Sequence, residues 1–171
     1  SGISRTFQNI RLFKDLSVWQ NIWVALQQDS DQRSGWMQEW FGNSKVQKEE
    51  IKEILVFSGL GDRFNDLAGN LSFGEQRRLE LARAIASKPK LILLDEPAAG
   101  MNSDEVADLR QRILDLKKLG LTVLLVEHVM ELVMNVVDRI VVLNFGKKIA
   151  EGSPENIQNN KDVQKAYLGG A

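Results

Sequence analysis

LILLDEP, at residues 91–97, is the stretch of sequence that decides the fold. Its run of aliphatic residues predicts a strand that is buried on both faces, as in a parallel sheet. Asp95 and Glu96 end this strand, and the carboxyl ends of strands are where open α/β sheets bind ligands. We therefore expect an α/β protein in which Asp95 holds Mg²⁺ and Glu96 polarises a water molecule for attack on a phosphate. The alternative is a pair of exposed acids at the start of a loop.

The residues that follow predict a strand–helix–strand unit. A helix is expected at residues 103–118, ended by Gly120, and a second buried strand at residues 121–126. Such a crossover joins parallel strands. His128, the only histidine, comes shortly after the second strand. We expect it near Glu96, because the carboxyl ends of parallel strands lie at the same edge of a sheet. A solitary histidine with a purely structural role is the alternative.

An anion site is predicted upstream, in LSFGEQ at residues 71–76. Ser72 is placed to cap a helix over residues 74–87, and the free N–H groups of a helix N-terminus attract anions. Ser72 adds a hydroxyl group, and Gly74 leaves room for a ligand to approach. Taken alone, the segment predicts only a capped helix, which is the alternative.

Hydrophobic spacing predicts the other elements. Helices are expected at residues 16–27, 45–57 and 129–137, a strand at 140–143, a turn at 145–147, and short helices from 154 and at 163–168. Residues 1–9 are polar and predict no element. Residues 28–44 predict a loop or short helix, in which Trp36 and Trp40 are candidates for docking on another protein. Two regions result: a helical region at 1–88 and an α/β region at 89–171.

The composition limits the class of protein. The chain has 171 residues, of which 43% are hydrophobic, a net charge of −1 and no cysteine. These values allow a sizeable core and exclude a disulfide framework, and the absence of a basic region argues against a nucleic-acid partner. No apolar run approaches the roughly 18 residues that span a bilayer. No signal peptide is recognisable, so we expect a cytoplasmic protein.

These motifs, in this order, resemble those of the ATP-binding cassette (ABC) family over essentially the whole chain. Residues 71–75 resemble the signature motif, and residues 91–96 resemble the Walker B strand with its catalytic glutamate. By the same resemblance, Gln8 is the Q-loop glutamine that senses Mg²⁺ and the attacking water, and His128 is the switch histidine. Asn102 ends the D-loop. The sequence departs from the family pattern at Phe73, Glu75 and Asn102.

The resemblance implies an α/β fold of the P-loop NTPase type, with a helical subdomain followed by a mostly parallel sheet with flanking helices. It implies ATP and Mg²⁺ as cofactors, with Glu96, His128 and Gln8 as catalytic residues and with Asp95 and Gln8 at the metal. The implied nucleotide contacts are Ser72, Phe73, Gly74, Glu75, Asp95 and Asn102. In the family, the signature motif contacts the nucleotide of a second ATPase subunit.

The G-x-x-x-x-G-K-[ST] motif of a P-loop does not occur in the sequence. In the family this loop precedes the Q-loop, so we expect the chain to be a fragment with an incomplete fold that does not hydrolyse ATP alone. Loss of the P-loop strand is also expected to leave residues 91–94 at an unpaired sheet edge. Unpaired edges favour association, so we expect a dimer.

Three further segments narrow the resemblance to the ATPase subunits of branched-chain amino-acid importers: RTFQNIRLF at 5–13, PAAGMN at 97–102 and AYLG at 166–169. Such subunits work in pairs on the inner face of the cell membrane, with transmembrane permease subunits and, indirectly, a periplasmic or extracellular solute-binding protein. Importers of amides or hydrophilic amino acids share much of this pattern.

Two alternatives come from other classes. One is a non-transport ABC ATPase that acts on nucleic acid. The stretch between Gln8 and Ser72 lacks the sustained heptads of the long coiled coils in such proteins. The other is a non-catalytic helical interaction module, against which the acidic pair at a strand end argues.

Overall fold

The computed structural model describes residues 2–27 and 44–167. The predicted docking residues Trp36 and Trp40 lie outside this part of the chain. The chain divides into two compact units, Ser1–His128 and Val129–Ala171. The sequence predicts the division after Lys88, between a helical region and a region of alternating strands and helices. The compact units divide later, so both kinds of structure occur in the first unit.

A parallel sheet organises the first unit. Its strands are β1 (Ile3–Arg5), β2 (Leu91–Asp95) and β3 (Thr122–Val126), in the order β1-β2-β3. In register, Leu91 lies between Ile3 and Thr122. The prediction of an unpaired edge at residues 91–94 is therefore wrong, because β1 occupies that edge. The unpaired edge was the reason for expecting a dimer, so the sheet no longer supports that expectation. No element was predicted at residues 1–9, because a strand of three residues is too short to show a period.

β3 confirms the predicted second strand at residues 121–126, but the strand is not buried as predicted, because it is covered on one face only. Leu124 and Val126 are 52% and 57% exposed, whereas Val123 and Leu125, which alternate with them, are half-buried. On β2 the alternation places Ile92 and Leu94 fully in the core. A continuous aliphatic run predicts a strand, but it does not report whether both faces are covered.

Four helices of the first unit follow the predicted spans closely. They are α1 (Val18–Gln27), α2 (Ser44–Phe57), α3 (Phe73–Ala86) and α4 (Ser103–Lys118). Ser72 caps α3 as predicted. The apolar faces of α1, α2 and α3 meet in one core, which contains Val18, Ile22, Ile51, Leu55, Leu79 and Ala82 among others.

The second unit is a hairpin packed with short helices. It contains α5 (Met130–Val136), β4 (Ile140–Asn144), β5 (Lys147–Gly152), α6 (Pro154–Gln158) and α7 (Lys161–Tyr167). β4 and β5 are antiparallel, and the predicted turn between them is confirmed: Phe145 and Gly146 both have positive φ. Its core is formed by Val142, Ile157 and Val163.

Within the described residues, none of the helices combines the length and the apolar composition that crossing a membrane requires.

Candidate functional site

The acidic pair lies where the sequence predicts it, at the carboxyl end of the central strand. Asp95 is the last residue of β2 and Glu96 follows it. Glu96 has a φ of 45°, in the left-handed region that non-glycine residues rarely adopt. Its N–H donates to the Val126 carbonyl oxygen on β3 at 2.8 Å. This conformation ends the strand abruptly and turns the chain into the loop that begins with Pro97.

Gln8 and Glu96 are in direct contact. Gln8 follows the neighbouring strand β1, and its Nε2 donates to Oε2 of Glu96 at 2.8 Å. The structure therefore brings together two of the predicted catalytic residues, which lie far apart in the sequence. A side-chain amide held on a carboxylate fixes the direction of both groups, as a site that orients a water molecule requires.

Asp95 has a partner that the sequence analysis missed. Nη2 of Arg5 lies 2.9 Å from Oδ2 of Asp95 in an ion pair. Arg5 pairs in register with Leu93, so Arg5 and Asp95 lie close together on adjacent strands. Recognition of β1 would have revealed this contact. The guanidinium balances the Asp95 charge and occupies one side of the group predicted to hold Mg²⁺.

His128 lies after β3, at the same edge of the sheet, with its side chain 66% exposed. Its Nδ1 is 3.6 Å from Oε1 of Glu127, a residue whose side chain is fully buried. Among the described residues, this is the polar partner of the imidazole, and the structure does not pair His128 with Glu96. Oε2 of Glu127 also accepts from the Ala98 N–H at 3.3 Å, so Glu127 links β3 to the loop after Glu96. Sequence reasoning missed Glu127.

The signature segment begins α3 with a reciprocal pair of hydrogen bonds. The Ser72 hydroxyl accepts from the Glu75 N–H at 3.3 Å, and Oε2 of Glu75 accepts from the Ser72 N–H at 2.9 Å. These bonds, together with the Arg63 guanidinium, hold the pKa of Glu75 below its ordinary value. Ser72 and Glu75 are thus engaged with each other, and Phe73 between them is 46% exposed.

Gly74 has a packing role that the sequence analysis did not predict. A Cβ atom at this position would collide with the Glu105 carboxylate of α4. Glu105 in turn caps α4 together with Asn102: the Asn102 N–H donates to Glu105, and the Glu105 N–H donates to Asn102, both at 3.0 Å. The signature segment and the predicted D-loop residue Asn102 are therefore packed together within this chain.

The donor set at the strand ends fits a nucleotide-borne magnesium ion. Asp95, Glu96 and Gln8 offer carboxylate and amide oxygens, the ligand type that Mg²⁺ prefers. Within the described residues, no group of three or more acidic, histidine or cysteine side chains could hold a metal ion without other ligands. Mg²⁺ is usually held by one or two carboxylates, with water molecules and substrate phosphates as its other ligands.

Comparison with known families identifies the family of the chain. Residues 1–99, more than half of the chain, match the family model described as ABC transporter. The chain belongs to the ABC transporter family. Residues 147–171 also match the model described as branched-chain amino acid ATP-binding cassette transporter.

Curated relatives within the ABC transporter family extend over nearly the whole chain. The high-affinity branched-chain amino acid transport ATP-binding protein BraF of Pseudomonas aeruginosa is 42% identical, covering 99% of this chain and 69% of its own length. The corresponding protein LivG of Escherichia coli K12 is 40% identical with the same coverage.

Solved structures place the fold in the same family. The crystal structure of an ATP-binding cassette of an ABC transporter, in its ADP conformation, aligns with a TM-score of 0.78 at 29% identity. It covers 99% of this chain and 69% of its own. The expected α/β fold of an ABC ATPase cassette is confirmed.

Proposed function

We propose that the chain is an ATP-binding and ATP-hydrolysing subunit of an importer of branched-chain amino acids. The hydrogen bond between Gln8 and Glu96 is the observation that supports hydrolysis, because it holds an amide and a carboxylate together at the end of the Walker B strand. The likeness to the branched-chain amino acid transport proteins supports the class of solute.

In this proposal each predicted residue has a defined task. Glu96 orients and polarises the attacking water as a general base, and Gln8 fixes the position of the Glu96 carboxylate. Asp95 and Gln8 would hold a magnesium ion, which would neutralise charge on the phosphates when bound. His128 completes the site, and its exposed imidazole leaves it accessible to a bound nucleotide.

The signature segment serves a different nucleotide. Ser72 to Glu75 and Asn102 contact ATP that is bound mainly by a second ATPase subunit, so the functional unit is a pair of such subunits. The pair works with transmembrane permease subunits and, through them, with an external solute-binding protein. We place it in the cytoplasm, on the inner face of the cell membrane.

The 171 residues alone are proposed to be inactive. The sequence holds no P-loop motif, and the N–H groups and lysine of that loop surround the β- and γ-phosphates in P-loop NTPases. ATP turnover by the purified chain, lost on Glu96→Gln, would contradict this part of the proposal.

The experiment that tests the function uses the complete transporter in membrane vesicles. Glu96→Gln keeps the shape of the side chain and removes its basicity, so ATP binding should persist while turnover and leucine uptake fall by about 10²-fold or more. Glu53→Gln, at an exposed carboxylate of α2, is the matched control and should behave like the wild type. Turnover that is stimulated by nucleic acid, without any amino-acid uptake, would instead support the non-transport ABC ATPase.

A further inference from the structure

We propose that Arg77 and Glu80, on α3, are positioning residues that hold the Gln8 side chain against Glu96. The kinetic consequence rests on the proposed function of Gln8 and Glu96. The structural part does not depend on it.

Arg77 donates hydrogen bonds to the backbone on both sides of the Gln8 Cα atom. Its side chain is 6% exposed, and Nη1 donates to the Phe7 carbonyl oxygen at 3.0 Å while Nη2 donates to the Gln8 carbonyl oxygen. These two carbonyls belong to the peptide groups on either side of the Gln8 Cα atom. One guanidinium therefore fixes both peptide planes that direct the Gln8 side chain.

Glu80 completes the arrangement from the next turn of α3. Its side chain is 8% exposed and lies 3.2 Å from Nη1 of Arg77 in an ion pair. Its other oxygen accepts from the Arg11 N–H at 3.4 Å, beyond Gln8 in the chain. Burial raises the pKa of Glu80, against the opposing effect of Arg77 and of the N–H groups of Arg11 and Phe7. A buried ion pair depends on further hydrogen bonds to its remaining donors and acceptors. Here the Q-loop backbone supplies them to Nη1 and Nη2 of Arg77 and to Oε1 of Glu80, while Nε of Arg77 has no hydrogen-bond partner among the described residues.

The contacts of Arg77 connect the signature segment to the acidic pair. At one end, the Arg77 guanidinium lies over the ring of Phe73, 5.4 Å from its centre. At the other end, Gln8 donates to Glu96 at 2.8 Å. Phe73 also lies against Gly100, where an added Cβ atom would be 3.3 Å from the ring. A displacement of Phe73 would thus reach Glu96 through Arg77 and the Gln8 backbone.

The substitution Arg77→Lys tests whether the hydrogen bonds of Arg77 position the Gln8 side chain. Lysine keeps the charge, but an ammonium lacks the planar fork that reaches two carbonyls and a carboxylate at once. Arg112→Lys is the matched control. Arg112 is 13% exposed, pairs with Asp108 on its own helix at 2.8 Å and donates to a distant backbone carbonyl, that of Phe57, but it does not contact the Gln8 backbone.

The first readout is spectroscopic and needs no nucleotide. In the chain as it stands, the Gln8 side-chain amide is identified in a ¹H–¹⁵N NMR spectrum by its loss in Gln8→Ala. Glu96→Ala removes its acceptor and defines the shift of the released amide. Arg77→Lys should move the Gln8 signal towards that position, and Arg112→Lys should leave it in place. An unmoved signal in Arg77→Lys would overturn the proposal.

The second readout is kinetic and uses the complete transporter. Arg77→Lys should lower kcat by roughly tenfold or more while the KM for ATP changes less than about twofold, because only the orientation of Gln8 is lost. In a Gln8→Ala background, Arg77→Lys should have no further effect on kcat. Equal losses in both backgrounds would show that Arg77 does not act through Gln8.

The two readouts distinguish a failure of the proposed function from a failure of the positioning role of Arg77. If Glu96→Gln retains turnover, the proposed function of the site fails, and the NMR shift still decides whether Arg77 positions Gln8. If Arg77→Lys does not fold, Glu80→Gln tests the same positioning of Gln8 by Arg77. This substitution keeps the shape of Glu80 and removes the charge that holds the guanidinium. The Gln8 signal should then move in the same direction, and an unmoved signal contradicts the proposal.

Discussion

Gly74 packs so closely against Glu105 that a Cβ atom at position 74 would lie 2.2 Å from Oε1 of the carboxylate. Gly74→Ala must therefore push the Glu105 side chain away from the Asn102 N–H, which it accepts at 3.0 Å. Loss of this one hydrogen bond should lower the free energy of unfolding by about 0.5–1 kcal/mol, because the Asn102 side chain still caps the Glu105 N–H. Chemical denaturation measures the change.

The Glu105→Ala background is the control for this prediction. With the carboxylate removed there is nothing to displace, so Gly74→Ala should be close to neutral or slightly stabilising, since alanine favours helix more than glycine does. A loss of similar size in both backgrounds would mean that Gly74 is needed for a reason other than the contact with Glu105.

The two glutamates of α3 should give stability opposite dependences on pH. The Ser72 N–H and Arg63 lower the pKa of Glu75 from 4.5, so its contribution is present above pH 4.5 and is lost as the pH falls through the folded-state pKa. The advantage of the wild type over Glu75→Gln should therefore shrink in acid. Denaturation curves recorded from about pH 3 to about pH 7 measure it.

Glu80 should change the stability in the opposite direction as the pH rises. Burial raises its pKa above 4.5, so the contribution from its shift is full below pH 4.5 and is lost as the pH rises through the folded-state pKa. The wild type should then lose stability relative to Glu80→Gln as the pH rises. The same direction of change for both substitutions would contradict the assignment of one cap and one buried carboxylate.

Leu94 and Leu124 should respond very differently to truncation, although both belong to aliphatic runs in neighbouring strands. Leu94 is 1% exposed and Leu124 is 52% exposed. Leu94→Ala should lower the free energy of unfolding by about 2–5 kcal/mol, whereas Leu124→Ala should lower it by less than about 1 kcal/mol. Urea denaturation of the two variants measures the difference. Similar losses would mean that the outer face of β3 is covered in solution.

The sequence predicts the elements whose signals are local. The aliphatic run before Asp95, the cap at Ser72 and the helix-ending Gly120 identify β2, α3 and α4 because each pattern is contained in a few consecutive residues. The site is predicted in part. Glu96 is found from its place at the end of a strand and Gln8 from the family resemblance, and the structure places them in contact.

What the sequence did not predict depends on distant contacts. β1 is held by backbone hydrogen bonds to β2, and its three residues carry no periodic signal. Arg77 and Gln8 are 69 positions apart, so no local pattern connects them. The open face of β3 depends on which other elements cover the sheet, and an aliphatic run contains no information about them.

The left-handed backbone at Glu96 has a consequence for how this position evolves. Holding a non-glycine residue at a φ of 45° costs on the order of 1–3 kcal/mol. Glycine would relieve that strain but would remove the carboxylate on which the proposed hydrolysis depends. Selection for a sturdier protein and selection for turnover therefore act in opposite directions at this one residue, and a chain released from the second would be expected to drift towards glycine here.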